Sequence, residues 1–116
     1  MSRLSEHSLY LMAGHFKALS DPMRLRILDL LREEPHAVKA IVAKVGAAQP
    51  TVSKHLATLR QAGLVKTERR GTTVIYRLSD LRICDVCDIL ADTLLARIES
   101  DGEAFTRRGV PTEAAG

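Results

Sequence analysis

The chain has 116 residues, 46% apolar and 27% charged, with a net charge of +3, which suits one modest domain and excludes a disordered chain. No run approaches the roughly 18–20 apolar residues of a membrane span, and the opening MSRLSEHSLY lacks the apolar stretch of a secretory signal. A cytoplasmic protein with no membrane partner is expected, its core aliphatic because the chain has two Phe, two Tyr and no Trp.

Leu9, Met12, Phe16 and Leu19 recur at helical spacing and predict a first helix over about residues 5–19. Asp21 then caps a second helix, with Pro22 at its first position, where a missing N–H costs nothing. This helix runs to about Arg32, with Leu25, Leu28 and Leu31, or Ile27, Leu30 and Leu31, facing inward. Glu33 to His36 is a break, after which Ile41, Val42 and Val45 mark a short third helix closed by Gly46. Pro50 opens a fourth. Its Val52, Leu56 and Leu59 share one face and leave Gln49, Thr51, Ser53, Lys54, His55 and Thr58 largely free, until Gly63 ends it.

Leu64–Arg69 and Thr72–Leu78 are rich in β-branched residues and read as a hairpin joined by Arg70-Gly71. A last helix starts at Asp80 and runs to about Ser100, with residues 84, 87, 91, 94 and 98 alternating three and four apart like a coiled-coil seam. The expected organisation is therefore mainly α with a β-hairpin wing, in the order α-α-α-α-β-β-α. One domain covers residues 1–100 and a fraying tail residues 101–116.

Charge is unevenly placed. Residues 37–79 hold eight basic side chains and one acidic one, whereas residues 80–116 hold eight acids and four bases. A basic middle of this kind fits a polyanion-binding face. A short helix, a Gly-containing turn, a polar-faced second helix and a basic hairpin together make a winged helix-turn-helix. Its fourth helix docks on the core and offers Gln49, Thr51, Ser53, Lys54, His55 and Thr58 to base edges of double-stranded DNA. Lys66, Arg69 and Arg70 on the hairpin suit phosphates or the minor groove. The plainer reading of each is a solvated surface residue; the order of elements is more specific than any one of them.

Three segments carry a family likeness: Asp21-Pro22-Met23-Arg24-Leu25-Arg26-Ile27-Leu28, then Gln49 through Val65, then Arg69-Arg70-Gly71-Thr72 running into Tyr76. Over roughly residues 8–98 the chain resembles the ArsR/SmtB family of repressors. The resemblance implies a homodimer built on the first and last helices and a recognition helix spanning Gln49–Arg60. It also implies release from DNA on a metal, metalloid or thiol-reactive signal. Leu9, Met12, Phe16 and Leu19, with Ala91, Leu94 and Ile98, form more apolar surface than a small monomer readily covers, which fits such an interface. A dimer of this kind reads a palindromic operator.

Two sensor sites familiar in the family do not carry over: Ala37 to Val45 contains no cysteine, and residues 80–100 contain no histidine. What remains is Cys84-Asp85-Val86-Cys87-Asp88. Residues three apart lie on one helix face, so the two sulfurs suit one soft ion, a trivalent arsenical, an oxidant or a persulfide. The competing reading is that both are small packing residues, with Asp85, Asp88 and Asp92 on the solvated side. No cofactor is obligatory on either reading. An effector-independent DNA binder and a winged helix used for protein interaction are the alternative functions. No phosphate loop, nucleophile elbow or acid-base cluster points to an enzyme.

Overall fold

The computed structural model describes residues 3–107. Its elements are α1 (Glu6–Leu19), α2 (Pro22–Glu33), β1 (His36–Ala37), α3 (Val38–Val45), α4 (Gln49–Gln61), β2 (Val65–Arg70), β3 (Thr73–Leu78) and α5 (Arg82–Arg107). The chain divides into two compact units, Met1–Leu81 and Arg82–Gly116.

The first unit is built by local signals that the sequence states openly. Ser5 caps α1, its Oγ accepting from the amide of Ser8. Asp21 caps α2, its carboxylate accepting from the amides of Met23 at 2.8 Å and Arg24 at 3.2 Å, with Pro22 at the first helical position. Gly46 closes α3 at φ +69°, a left-handed conformation that glycine adopts without the Cβ penalty. Gly46-Ala47-Ala48 is then the whole turn between α3 and α4.

Ile27, Leu28 and Leu31 of α2, Ile41 and Val45 of α3, and Val52, Leu56 and Leu59 of α4 meet in an aliphatic core, closed by Leu64, Val65 and Leu78. Leu25 is exposed, so of the two stripes open for α2 the buried set is Ile27, Leu28 and Leu31. Leu19 is also part of this core at 9% exposure, with Ala18 beside it. That corrects its assignment to a dimer face: at the last position of α1, Leu19 fills the protomer's own interior, while Leu9, Met12 and Phe16 stay exposed.

The sheet has three antiparallel strands in the order β1-β3-β2. β2 and β3 pair from Val65↔Leu78 to Arg70↔Thr73, leaving Gly71-Thr72 as a two-residue turn with Gly71 at φ +64°. A glycine at the first central position suits the right-handed twist of the flanking strands. β1 falls where a break is expected. It pairs His36 with Tyr76 and Ala37 with Ile75. The buried ring of His36 donates from Nδ1 to the carbonyl of Glu34 at 2.7 Å and accepts at Nε2 from Nζ of Lys44 at 3.0 Å, tying β1 to the last turn of α3.

The second unit is the long helix α5. It continues past the expected end near Ser100 to Arg107. The remainder of the expected tail, residues 108–116, lies outside the described residues.

Candidate nucleic-acid interface

The candidate surface begins at the N-terminus of α4. Ala48 offers no capping side chain there, and the first turn carries no acid. With Pro50 among its first residues, the helix leaves backbone donors that complement an anion rather than a carboxylate of its own. Gln49, Thr51, Ser53 and Lys54 are exposed, whereas Val52, Leu56 and Leu59 of the same helix are buried. Arg60, in the last turn, is exposed as well.

Two of the expected readers are placed differently. Thr58 is half-buried, and its hydroxyl donates to the carbonyl of Lys54 at 3.2 Å within its own helix. His55, with 19% of its side chain exposed, turns toward α2. Its Nδ1 accepts from Nη1 of Arg24 at 3.2 Å, and its Nε2 lies 3.9 Å from Oδ1 of Asp21. Partial desolvation raises the pKa of Asp21, but the amides of Arg24 and Met23, with His55 and Arg24 nearby, hold it below its ordinary value. Sequence spacing carries no sign of this contact, because Arg24 and His55 are 31 positions apart.

The hairpin carries the second part of the basic face. Lys66, Glu68 and Arg70 alternate onto one side of β2, with Val65, Thr67 and Arg69 on the other. Glu68 accepts from Arg77 across the ladder and from Nη2 of Arg70 at 2.8 Å. The hydrogen bond from Arg77, then that from Arg70, holds the Glu68 carboxyl below its ordinary value against the opposing effect of desolvation. One carboxylate thus gathers two of the wing's arginines. Among the described residues no carboxylate pairs with Lys54, Lys66 or Arg69, all of them exposed.

On α5, Cys84 is buried and Cys87 half-buried, one helical turn apart and not joined in a disulfide. Asp85, Asp88, Ala91, Asp92, Leu94 and Ile98 are all exposed. Among the described residues no group of three or more His, Cys, Asp or Glu side chains is placed to hold a metal ion. No described helix is long and apolar enough to cross a membrane.

A three-residue turn between two short helices, a polar and basic second helix, and a basic two-stranded wing define a winged helix-turn-helix DNA-binding protein. Residues 21–67 match the family described as bacterial regulatory protein, arsR family. The chain is 37% identical over 98 residues to the uncharacterized HTH-type transcriptional regulator Rv0081 of Mycobacterium tuberculosis, a match covering 84% of this chain and 85% of that protein. Its fold is similar to the crystal structure of Rv0081 with a TM-score of 0.70, over 84% of this chain and 97% of the other. A solution structure of the homodimeric winged helix-turn-helix domain of Mb0332 from Mycobacterium bovis, described as a possible ArsR-family regulator, gives 0.72 at 34% identity, over 84% and 95%. The nodulation protein NolR of Rhizobium meliloti is 40% identical over 69% of this chain, which spans 66% of NolR, just under two thirds of its length. The chain belongs to the ArsR/SmtB family of DNA-binding transcription regulators.

Proposed function

We propose that the protein is a homodimeric repressor that occupies a palindromic operator and leaves it when a thiol-reactive effector engages Cys84 and Cys87. The observation that carries DNA contact is the set of exposed polar and basic side chains on α4 (Gln49, Thr51, Ser53 and Lys54) and on β2 of the hairpin (Lys66, Arg69 and Arg70). The dimer reading rests on exposed apolar side chains in each unit. Leu9, Met12 and Phe16 stand on α1, and Leu94 and Ile98 on α5 are 48% and 63% exposed. Apolar surface on this scale is a mark of association, and Mb0332 is described as homodimeric. Two such subunits place their recognition helices in successive major grooves about 34 Å apart, so a small rearrangement of the dimer weakens binding.

The effector reading rests on two cysteines, not joined in a disulfide, one helical turn apart. Together they offer two soft donors, which satisfy methylarsenite or another arsenical with two open valences. They also provide the attacking and resolving thiols that an oxidant or persulfide requires. A soft metal ion draws its further donors from Asp85, Asp88 or the other subunit. The burial of Cys84 favours a second reading, in which the cysteines only pack and DNA binding is effector-independent. The two are separated by titrating the reduced protein on DNA with arsenite, methylarsenite, Cd²⁺, Zn²⁺ and a persulfide donor, beside a Cys84→Ser/Cys87→Ser variant. Release from the wild type alone supports sensing. Equal behaviour of the two proteins removes Cys84 and Cys87 as the sensor.

A further inference from the structure

One guanidinium joins the first two helices to the recognition helix. Nε of Arg24 on α2 donates to the carbonyl of Ala18 at 2.6 Å, and its Nη2 donates to that of Lys17 at 3.4 Å. Both carbonyls lie in the last turn of α1, where the helix dipole favours a cation; that of Lys17 also accepts from the amide and the hydroxyl of Ser20. Nη1 of the same side chain donates to Nδ1 of His55 on α4 at 3.2 Å. Arginine has no acceptor, so Nδ1 must be unprotonated and the ring proton sits on Nε2, on the side of Asp21.

The position of His55 on α4 gives this contact its use. It directly follows Ser53 and Lys54, which are exposed, and precedes Leu56, which is fully buried. It therefore sits on the flank of the helix, between the buried stripe and the exposed face. Aliphatic packing through Val52, Leu56 and Leu59 is non-directional and tolerates a small roll of the helix about its axis. A hydrogen bond to a charged donor on the flank is directional and resists that roll.

We propose that Arg24 and His55 are positioning residues for DNA recognition: their contact fixes the rotational setting of α4, so that Gln49, Ser53 and Lys54 meet base edges in register. On this account His55 acts through Arg24 and does not itself read DNA. The inference rests on DNA binding by this chain and is independent of repression and of the cysteines.

The test uses the full chain and a labelled duplex enriched by the wild-type protein from a random-sequence library, with an unrelated duplex as control. Each is titrated across a range of salt. His55→Asn keeps an acceptor at the δ position at similar helix propensity, whereas His55→Leu removes it. His55→Leu is expected to weaken binding to the enriched duplex about tenfold, with the salt dependence unchanged and little effect on the unrelated duplex. His55→Asn is expected to bind close to wild type. In an Arg24→Gln background, His55→Leu is expected to cost almost nothing further, since the interaction is already gone. Thermal unfolding of each variant establishes that it is folded at the assay temperature. If His55→Leu is not, Arg24→Gln alone carries the comparison and is expected to lose affinity for the enriched duplex at unchanged salt slope. The proposal is overturned if His55→Asn binds as weakly as His55→Leu with a salt slope reduced by about one, which marks a direct phosphate contact. Wild-type affinity in His55→Leu or in Arg24→Gln overturns it equally.

Discussion

The two units spend their apolar residues differently. In residues 3–81 most large aliphatics of α2, α3 and α4 are covered, and Ile27, Ile41, Val52, Leu56 and Leu59 have no exposed surface. In α5 five of the large aliphatics, Ile89, Leu90, Leu94, Leu95 and Ile98, are about half exposed or more. The first unit has its own interior, which holds the proposed DNA-contacting residues in place. The second offers a surface whose stability depends on what covers it.

The largest effect expected from this contrast is in the closed unit. Leu56→Ala should lower stability by about 2–5 kcal/mol, the usual cost of emptying a buried leucine site, and chemical denaturation will show it. The same loss in a Leu94→Ala variant, with no change in oligomeric state, would mean that α5 has a closed interior too and would break the comparison. Next in size, Leu94→Glu/Ile98→Glu should turn a dimer into a monomer in sedimentation equilibrium and weaken DNA binding about 100-fold or more, because one half-site is left to hold alone. A doubly charged variant that remained a dimer would place the interface elsewhere.

A smaller effect sharpens the DNA side. Lys66→Ala/Arg69→Ala should reduce the slope of log affinity against log salt by about one for each phosphate that is no longer neutralised, with a similar penalty on every sequence. An unchanged slope would remove the wing from the phosphate-binding surface. The smallest is a titration. Glu68 has a lowered pKa in the fold, so its ionised form contributes stability above its unfolded pKa, and that contribution is lost as pH falls through the lowered value. Glu68→Gln should therefore flatten the acid limb of the stability profile measured by thermal unfolding. A profile superimposable on wild type would show that the hydrogen bonds from Arg77 and Arg70 contribute nothing to stability.

The helices and the hairpin were legible because each announces itself locally: Asp21-Pro22 and Gly46 as punctuation, Val52, Leu56 and Leu59 as a stripe, Val74 and Ile75 as β-branched runs. β1 was not, since two residues have no period and His36-Ala37 becomes a strand only by pairing with β3. Leu19 was misassigned for a related reason. A helical stripe identifies apolar residues but does not say which of them face the protomer's own core. Gln49, Thr51, Ser53 and Lys54 were legible as exposed polar positions of α4. His55 shares their polarity and their helix, and only its contact with Arg24 in space separates it from them.

The short strand β1 has a consequence for the operator as well as for the fold. Ala37 pairs with Ile75 and is also the residue from which α3 starts, while the opposite edge of β3 carries the wing. Wing and helix-turn-helix therefore share one hydrogen-bonded joint and move as one jaw of a caliper. A rigid jaw does not reshape itself to what it grips. The duplex must supply the groove width and bend that fit, and sequences that deform at little cost will be preferred even at base pairs no side chain reaches.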